Sequence, residues 1–152
     1  MMDMMIREAK AQDAIGICTL YQEVMQYEYP VEKTAEKIRQ LQNDHCNHAF
    51  VALIDGSVVG IIETVIKCSL HKESYLIINT LAVRETFQGQ GIGSALLAYV
   101  ERFAIERHLG SISVGSQLKR ARAHQFYEKN GFQNIKLHKI FEKKIVRKPS
   151  SP

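Results

Sequence analysis

Apolar positions recur along this chain at two periods, and the changes from one to the other divide it into strands and helices. Met5-Ile6-Arg7-Glu8-Ala9 reads as a short first strand. From Ala14 onward Ile17, Leu20, Tyr21 and Val24 return every three or four positions, which predicts a helix with Asp13 as its N-cap. Pro30 interrupts, and Val31 to Asn43 predicts a second, more polar helix. Residues 49–54 form an apolar strand, and Asp55-Gly56 is the two-residue turn of a hairpin leading into Val58 to Ile66. A further strand runs from about Tyr75 to Val83, apolar enough at Leu76-Ile77-Ile78 and Leu81-Ala82-Val83 for burial on both faces.

A glycine-rich turn then opens a long amphipathic helix from about Ile92 to Leu109, with Gly110 as its expected C-cap. Ile112 to Val114 is a short strand, and Arg120 to Lys129 is a helix closed by Asn130-Gly131. A final strand pair is expected around Phe132 and Leu137 to Val146. The order β-α-α-β-β-β-α-β-α-β predicts an α/β (α+β) protein: a central mixed, mostly antiparallel sheet with helices on both faces. One domain is expected over residues 1–147, followed by a polar, proline-containing tail (148–152) that frays.

Composition narrows the class without naming a function. The 152 residues are 45% hydrophobic and 24% charged, as in an ordinary globular domain, and no apolar run approaches the length of a membrane span. Residues 1–6 are Met-rich but carry Asp3 and no basic region or cleavage site, so no secretory signal is read. Cys18, Cys46 and Cys68 are an odd count without close pairing, which suits a reducing compartment, and a cytoplasmic protein is expected. Charge is uneven: residues 1–83 hold 7 Lys/Arg against 11 Asp/Glu, and residues 84–152 hold 13 against 5. The basic half has no aromatic interleaving; nucleic acid and a compact phosphorylated molecule are both candidate partners, and charge alone does not decide between them. His45-Cys46-Asn47-His48 lacks the usual ligand spacing, and no metal site is assigned.

The chemistry concentrates in Gln88-Gly89-Gln90-Gly91-Ile92-Gly93, between a buried strand and a helix. The free N–H groups of the helix start, backed by its dipole, suit phosphate or pyrophosphate. A dinucleotide fingerprint fails because Ser94 stands where its third glycine belongs, and a P-loop fails for want of a lysine.

What fits is the CoA-binding pattern Q/R-x-x-G-x-G/A, and the chain resembles the GNAT N-acetyltransferases. The likeness extends to Ile6-Arg7-Glu8-Ala9, Asp55-Gly56, Val59-Gly60 and Leu81-Ala82-Val83. Downstream, Ala123-His124-Gln125-Phe126-Tyr127-Glu128-Lys129-Asn130-Gly131-Phe132 resembles the family's second motif, A-x-x-F-Y-x-x-x-G-F. The resemblance implies acetyl-CoA as cosubstrate. It implies that the main chain of Gln88, Gly89, Gln90, Gly91, Ile92 and Gly93, with the Ser94 hydroxyl, cradles the pyrophosphate. It implies that Leu81, Ala82 and Val83 pair with the pantetheine arm. It also implies that Tyr127 gives a proton to the leaving thiolate, which a phenol near its ordinary pKa of about 10 can do.

The chain departs from the family at two places. Arg120 stands where the second motif usually has Asn, and is expected to meet a CoA phosphate. Many relatives carry a glutamate on the strand before the glycine-rich turn, where this chain has Ile78, Asn79 and Thr80. Glu63 on the preceding strand, ordered water or a histidine must then take the amine proton. The acceptor side is expected to include Tyr27, Glu28, His71 and Asn79.

A subgroup likeness, through residues 52–60, Leu70-His71 and residues 118–124, points to aminoalkylphosphonate N-acetyltransferases. Lys119, Arg120 or Arg122 would then meet an anionic group. The leading expectation is acetyl transfer to a small-molecule amine. A lysine or N-terminal protein acetylase and a non-catalytic acetyl-CoA sensor are the alternatives. Nucleic acid ranks last as a partner, because CoA phosphates and a solvated tail account for the basic half. A homodimer through a strand at Leu137–Val146 is a further expectation.

Overall fold

The structure, a computed structural model, describes residues 3–116 and 120–146, so Lys119 and the tail 148–152 lie outside it. The chain divides into two compact units, Met1–Lys119 and Arg120–Pro152. The first unit holds β1 (Met4–Glu8), α1 (Ala14–Met25), α2 (Val31–Leu41), β2 (Asn47–Ile54), β3 (Ser57–Lys67), β4 (Tyr75–Val83), α3 (Ile92–Glu106) and β5 (Ile112–Val114). Its five strands follow the order β1-β2-β3-β4-β5. The first four pair antiparallel and β5 joins parallel, against Leu76, Ile77 and Ile78. Among the described residues no helix is long and apolar enough to cross a membrane.

Two core layers follow from strand alternation. Val51, Leu53, Ile61 and Ala82 pack with Ile17 and Leu20 of α1 and Ile38 of α2. The neighbouring Phe50 points the other way, with its ring 5.1 Å from Tyr99 and 5.3 Å from Phe103 of α3. Leu20, Phe50, Val51 and Leu96 are fully buried, and truncating such a side chain to Ala costs about 2–5 kcal/mol.

Two bulges interrupt the ladders. Leu53 faces Val58 while Ala52 faces Gly60, which leaves Val59 as an extra residue in β3. Glu63 faces Thr80 while Thr64 faces Ile78, which leaves Asn79 as an extra residue in β4.

Asp13 begins α1 as expected, but its carboxylate does not cap the helix. It turns back to accept two bonds from the Arg7 guanidinium, at 2.7 and 3.0 Å, and one from the Lys10 N–H at 2.7 Å. Burial pushes its pKa up, but Arg7 and Lys10 outweigh burial and hold it below the usual carboxylate value. Helix α3 ends at Glu106 rather than Leu109, because His108 adopts a left-handed conformation with φ of 57°. Gly110 serves a different purpose from the expected cap. Its N–H donates to Ser74 O at 2.8 Å, and a Cβ there would lie 2.8 Å from Glu73 Cβ.

The second unit contains α4 (Ala121–Lys129), where Asn130 Nδ2 donates to Phe126 O at 2.8 Å. The Tyr127 ring stands edge-on to Phe126 and Phe132, at 5.4 and 5.6 Å. The expected final strand pair is not there: residues 132–146 carry no strand. Their apolar positions (Phe132, Ile135, Leu137, Ile140, Phe141, Ile145 and Val146) keep no sustained alternation, and all but Phe132 are exposed. A strand exists through a ladder partner, and this pattern does not select one face to bury. The expected dimer strand therefore has no counterpart among the described residues.

Candidate active site

Strand β4 is laddered to β3 along its whole length but to β5 only at its first residues. Among the described residues the outer edge of Asn79–Val83 has no strand partner, so the main-chain groups of Leu81 to Val83 that point outward, other than Val83 O, are free to bind an extended ligand. At the end of this strand the Arg84 N–H donates to Val59 O at 2.8 Å. The chain then passes through a short 3-10 turn, Glu85–Phe87, into the glycine-rich loop.

That loop is built for close approach. Gly89 and Gly91 have φ of 79° and 86°, and a Cβ on either would meet no atom within 4 Å. Gln88 Nε2 donates to Val83 O at 2.9 Å and ties the loop back to β4. The first bond of α3 runs from the Ala95 N–H to Gly91 O, so the N–H groups of Ile92, Gly93 and Ser94 have no partner inside the helix. Gln88 to Gly91 are exposed, and no acidic residue occupies the first turn. An open cradle of N–H groups at the positive end of a helix fits a pyrophosphate, and the free strand edge beside it fits a pantetheine arm.

Next to that edge, on the α1 side of the sheet, three oxygens form a closed cluster. Tyr21 Oη donates to Glu63 Oε2. Thr80 Oγ1 donates to the same oxygen at 2.8 Å and lies 2.7 Å from Tyr21 Oη. Burial, reinforced by the Glu63 charge, raises the Tyr21 pKa far above its ordinary value, so the phenol keeps its proton. Among the described residues no donor reaches Glu63 Oε1. The bulge at Asn79 makes the cluster, because it sets Thr80 directly across from Glu63.

A cavity of about 250 Å³ lies against this carboxylate, walled by Lys37, Asp44, His48, Ala49, Glu63 and Asn79. Asp44 serves its own loop, accepting from the Cys46 and Asn47 N–H groups at 2.8 and 2.9 Å. His48 Nε2 contacts His45 O at 3.0 Å, with its ring 4.8 Å from Phe103. Lys37 Nζ lies 4.6 Å from the Tyr29 ring centroid.

The expected acceptor residues are thus divided. Glu63 and Asn79 share this cavity, while Tyr27 and Glu28 line a separate cleft of about 280 Å³ with Thr19 and Tyr29. His71 lines neither; it is exposed in the β3–β4 loop, with Nδ1 3.1 Å from Ser69 Oγ. Tyr127 and Arg120 belong to the second unit, where burial raises the Tyr127 pKa and the Arg120 charge partly offsets it. From the sequence, Tyr21 is a core position of α1 and Thr80 is one of three positions where the family's glutamate is missing. Neither has a local signature, because their partner lies 42 residues from one and 17 from the other. Among the described residues no group of three or more His, Cys, Asp or Glu side chains is gathered as a metal-ligand set.

The chain belongs to the GNAT acetyltransferase family, whose model matches residues 14–132. It is an N-acetyltransferase of that family, with acetyl-CoA as its acetyl donor. It is 29% identical to the aminoalkylphosphonate N-acetyltransferase of Salmonella typhimurium over 129 residues, 84% of each chain. It is 31% identical to human N-acetylaspartate synthetase over 87 residues, 57% of this chain and 28% of that one, and so spans only a minor part of that protein. An aminoglycoside N-acetyltransferase solved with CoA superposes with a TM-score of 0.82 at 14% identity, over 94% of this chain and 96% of the other. At that identity the likeness is one of fold.

Proposed function

We propose that this protein transfers the acetyl group of acetyl-CoA to a primary amine of a small molecule by direct attack. The carrying observation is the Glu63 carboxylate, which faces a small cavity beside the free edge of β4. Leu81 to Val83 bind the pantetheine arm, and Gln88 to Ser94 bind the pyrophosphate, with Arg120 on a CoA phosphate. The amine nitrogen attacks the thioester carbonyl carbon and the C–S bond breaks. Glu63 takes the amine proton, and Tyr127 returns a proton to the leaving thiolate. A phenol whose pKa is raised by burial keeps its proton at neutral pH, which this role requires.

A cavity near 250 Å³ has the volume of roughly eight waters at ~30 Å³ each, room for a compact acceptor. The relatives' names point to amines that also bear an acidic group, and Lys37 supplies a cation at the wall. Asn79 contacts the acceptor near its amine. Tyr27, Glu28 and His71 serve only the outer end of a longer one. Thiol release from acetyl-CoA, measured against aminoalkylphosphonates, amino acids, neutral amines, aminoglycosides and peptides, tests the assignment. Turnover on a small acidic amine that falls sharply in Tyr127→Phe and Glu63→Gln is the expected result. Turnover confined to peptides would make the protein a protein acetylase, and tight acetyl-CoA binding with no turnover would make it a sensor.

A further inference from the structure

The Tyr21–Glu63–Thr80 cluster is unusual for a sheet surface. Two hydroxyls from different elements, one on α1 and one on β4, converge on a single carboxylate oxygen. A carboxylate on a strand ordinarily turns freely about its side-chain torsions, and fixing it costs rotamer entropy. Here the cost is met by two hydrogen bonds to a charged acceptor, each stronger than a neutral one. The constraint is also one-sided, since Oε2 is held twice and no described residue donates to Oε1.

We propose that Tyr21 and Thr80 are positioning residues which hold Oε2 of Glu63 and thereby present Oε1 to the amine entering from the cavity beneath α2. This deepens the proposed function and rests on Glu63 being the proton acceptor. Because Tyr21 keeps its proton, it stays a donor throughout the pH range in which an amine can react. Amine transfer adds a proton to Oε1 while Oε2 remains bonded, so the carboxyl group need not rotate between turnovers. Other titratable or charged groups facing the site are Lys37 of α2, Asp44 before β2, His48 of β2, and Tyr27, whose ring lies 6.0 Å from Tyr21. Asp44 is occupied by its own loop and His48 by His45 O, which leaves Tyr21 and Thr80 as the groups that orient Glu63.

Tyr21→Phe keeps the ring that packs against the core and removes only the hydroxyl. With the best amine of the panel, kcat should fall about tenfold while the acetyl-CoA KM stays within about twofold, as expected for loss of a bond to a charged group. Losing a donor to the charged form should move the acid limb of the kcat/KM profile to higher pH by about one unit. Thr80→Val should give a smaller shift in the same direction, and Thr80→Ser should restore the wild-type profile. A reduced kcat with an unmoved acid limb would make Tyr21 merely structural, and loss of the limb in His48→Gln would transfer the proton to His48. Either result overturns the proposal.

A second readout does not depend on turnover. In protein labelled with 13C at glutamate carboxyls, the signal absent from Glu63→Gln should change position in Tyr21→Phe at a fixed neutral pH, because a donor to that carboxylate is gone. If no amine is acetylated but this shift is present, the functional reading fails and the clamp stands. An unmoved signal in Tyr21→Phe removes the clamp whatever the activity.

Discussion

Two hollows of nearly equal size, about 250 and 280 Å³, open beside α2 and beside α1, yet they differ in what chemistry they can support. The one bounded by Tyr27, Glu28 and Tyr29 has the aromatic and acidic side chains that a binding site for amines would be expected to show. Its carboxylate sits in an exposed connection, and no hydroxyl pair is arranged around it. The one bounded by Glu63 and Asn79 touches the bulge of β4, so its carboxylate is fixed beside the unpaired edge of that strand. Concavity and composition are alike enough that neither decides the matter. Adjacency to the bulge does.

The comparison breaks most easily at its two glutamates. Glu63→Gln should lower kcat by about a hundredfold or more, the usual scale for removing a general base, whereas Glu28→Gln should leave kcat within about twofold. Steady-state thiol release on both variants decides it, and equal losses would erase the distinction between the hollows.

A smaller effect is expected at the start of α1, the helix that lines the second hollow and carries Tyr21 to the carboxylate of the first. Asp13→Asn leaves the Arg7 guanidinium without its anion and should cost roughly 2 kcal/mol at neutral pH. The Asp13 pKa is lower in the folded protein than in the unfolded chain, so this stability is present above about pH 4 and is lost as pH falls through the folded value. Denaturant midpoints for the two proteins should therefore differ at pH 7 and converge in acid. Parallel curves down to the lowest pH would assign the Asp13 contribution to packing alone.

Ala49→Leu would push an isopropyl group, three more carbons, into the first hollow and should raise the acceptor KM about tenfold without changing acetyl-CoA affinity. Thr19→Leu, the matched change in the second, should have little effect on a compact acceptor. The smallest effects belong to Tyr27→Ala, Glu28→Ala and His71→Ala. These should change the KM of long acceptors by about two- to fivefold and that of short ones hardly at all. A large loss at His71 on a short amine would bring the β3–β4 loop into the site.

How far the amino-acid pattern carried the reading depends on how local each feature is. The Asp55-Gly56 turn, the doubly apolar β4 and the glycine-to-helix junction at Gly91 are encoded within a few residues, and the structure has each of them where the pattern put it. Asp13 was read as a cap because it stands before a helix, but Arg7 outcompeted the helix for its carboxylate. Gly110 was read through its commonest use, when what required it was a neighbouring loop. Leu137 to Val146 was read as a strand from its apolar content, although its spacing does not alternate. The bulge at Asn79 could not be read at all. It is a property of the register between two strands, and Asn79 carries no mark of it in the chain.

The unpaired edge of β4 also has a consequence for how the protein endures. On the proposed mode of binding, acetyl-CoA laid along Asn79–Val83 completes main-chain bonds that folding alone leaves open. Ligand that binds only the folded form deepens the free-energy well by an amount set by its concentration, about 2.7 kcal/mol at a hundred times Kd. The folding stability of the chain then rises with the supply of activated acetyl groups, and a melting curve becomes a reading of how much cosubstrate is bound.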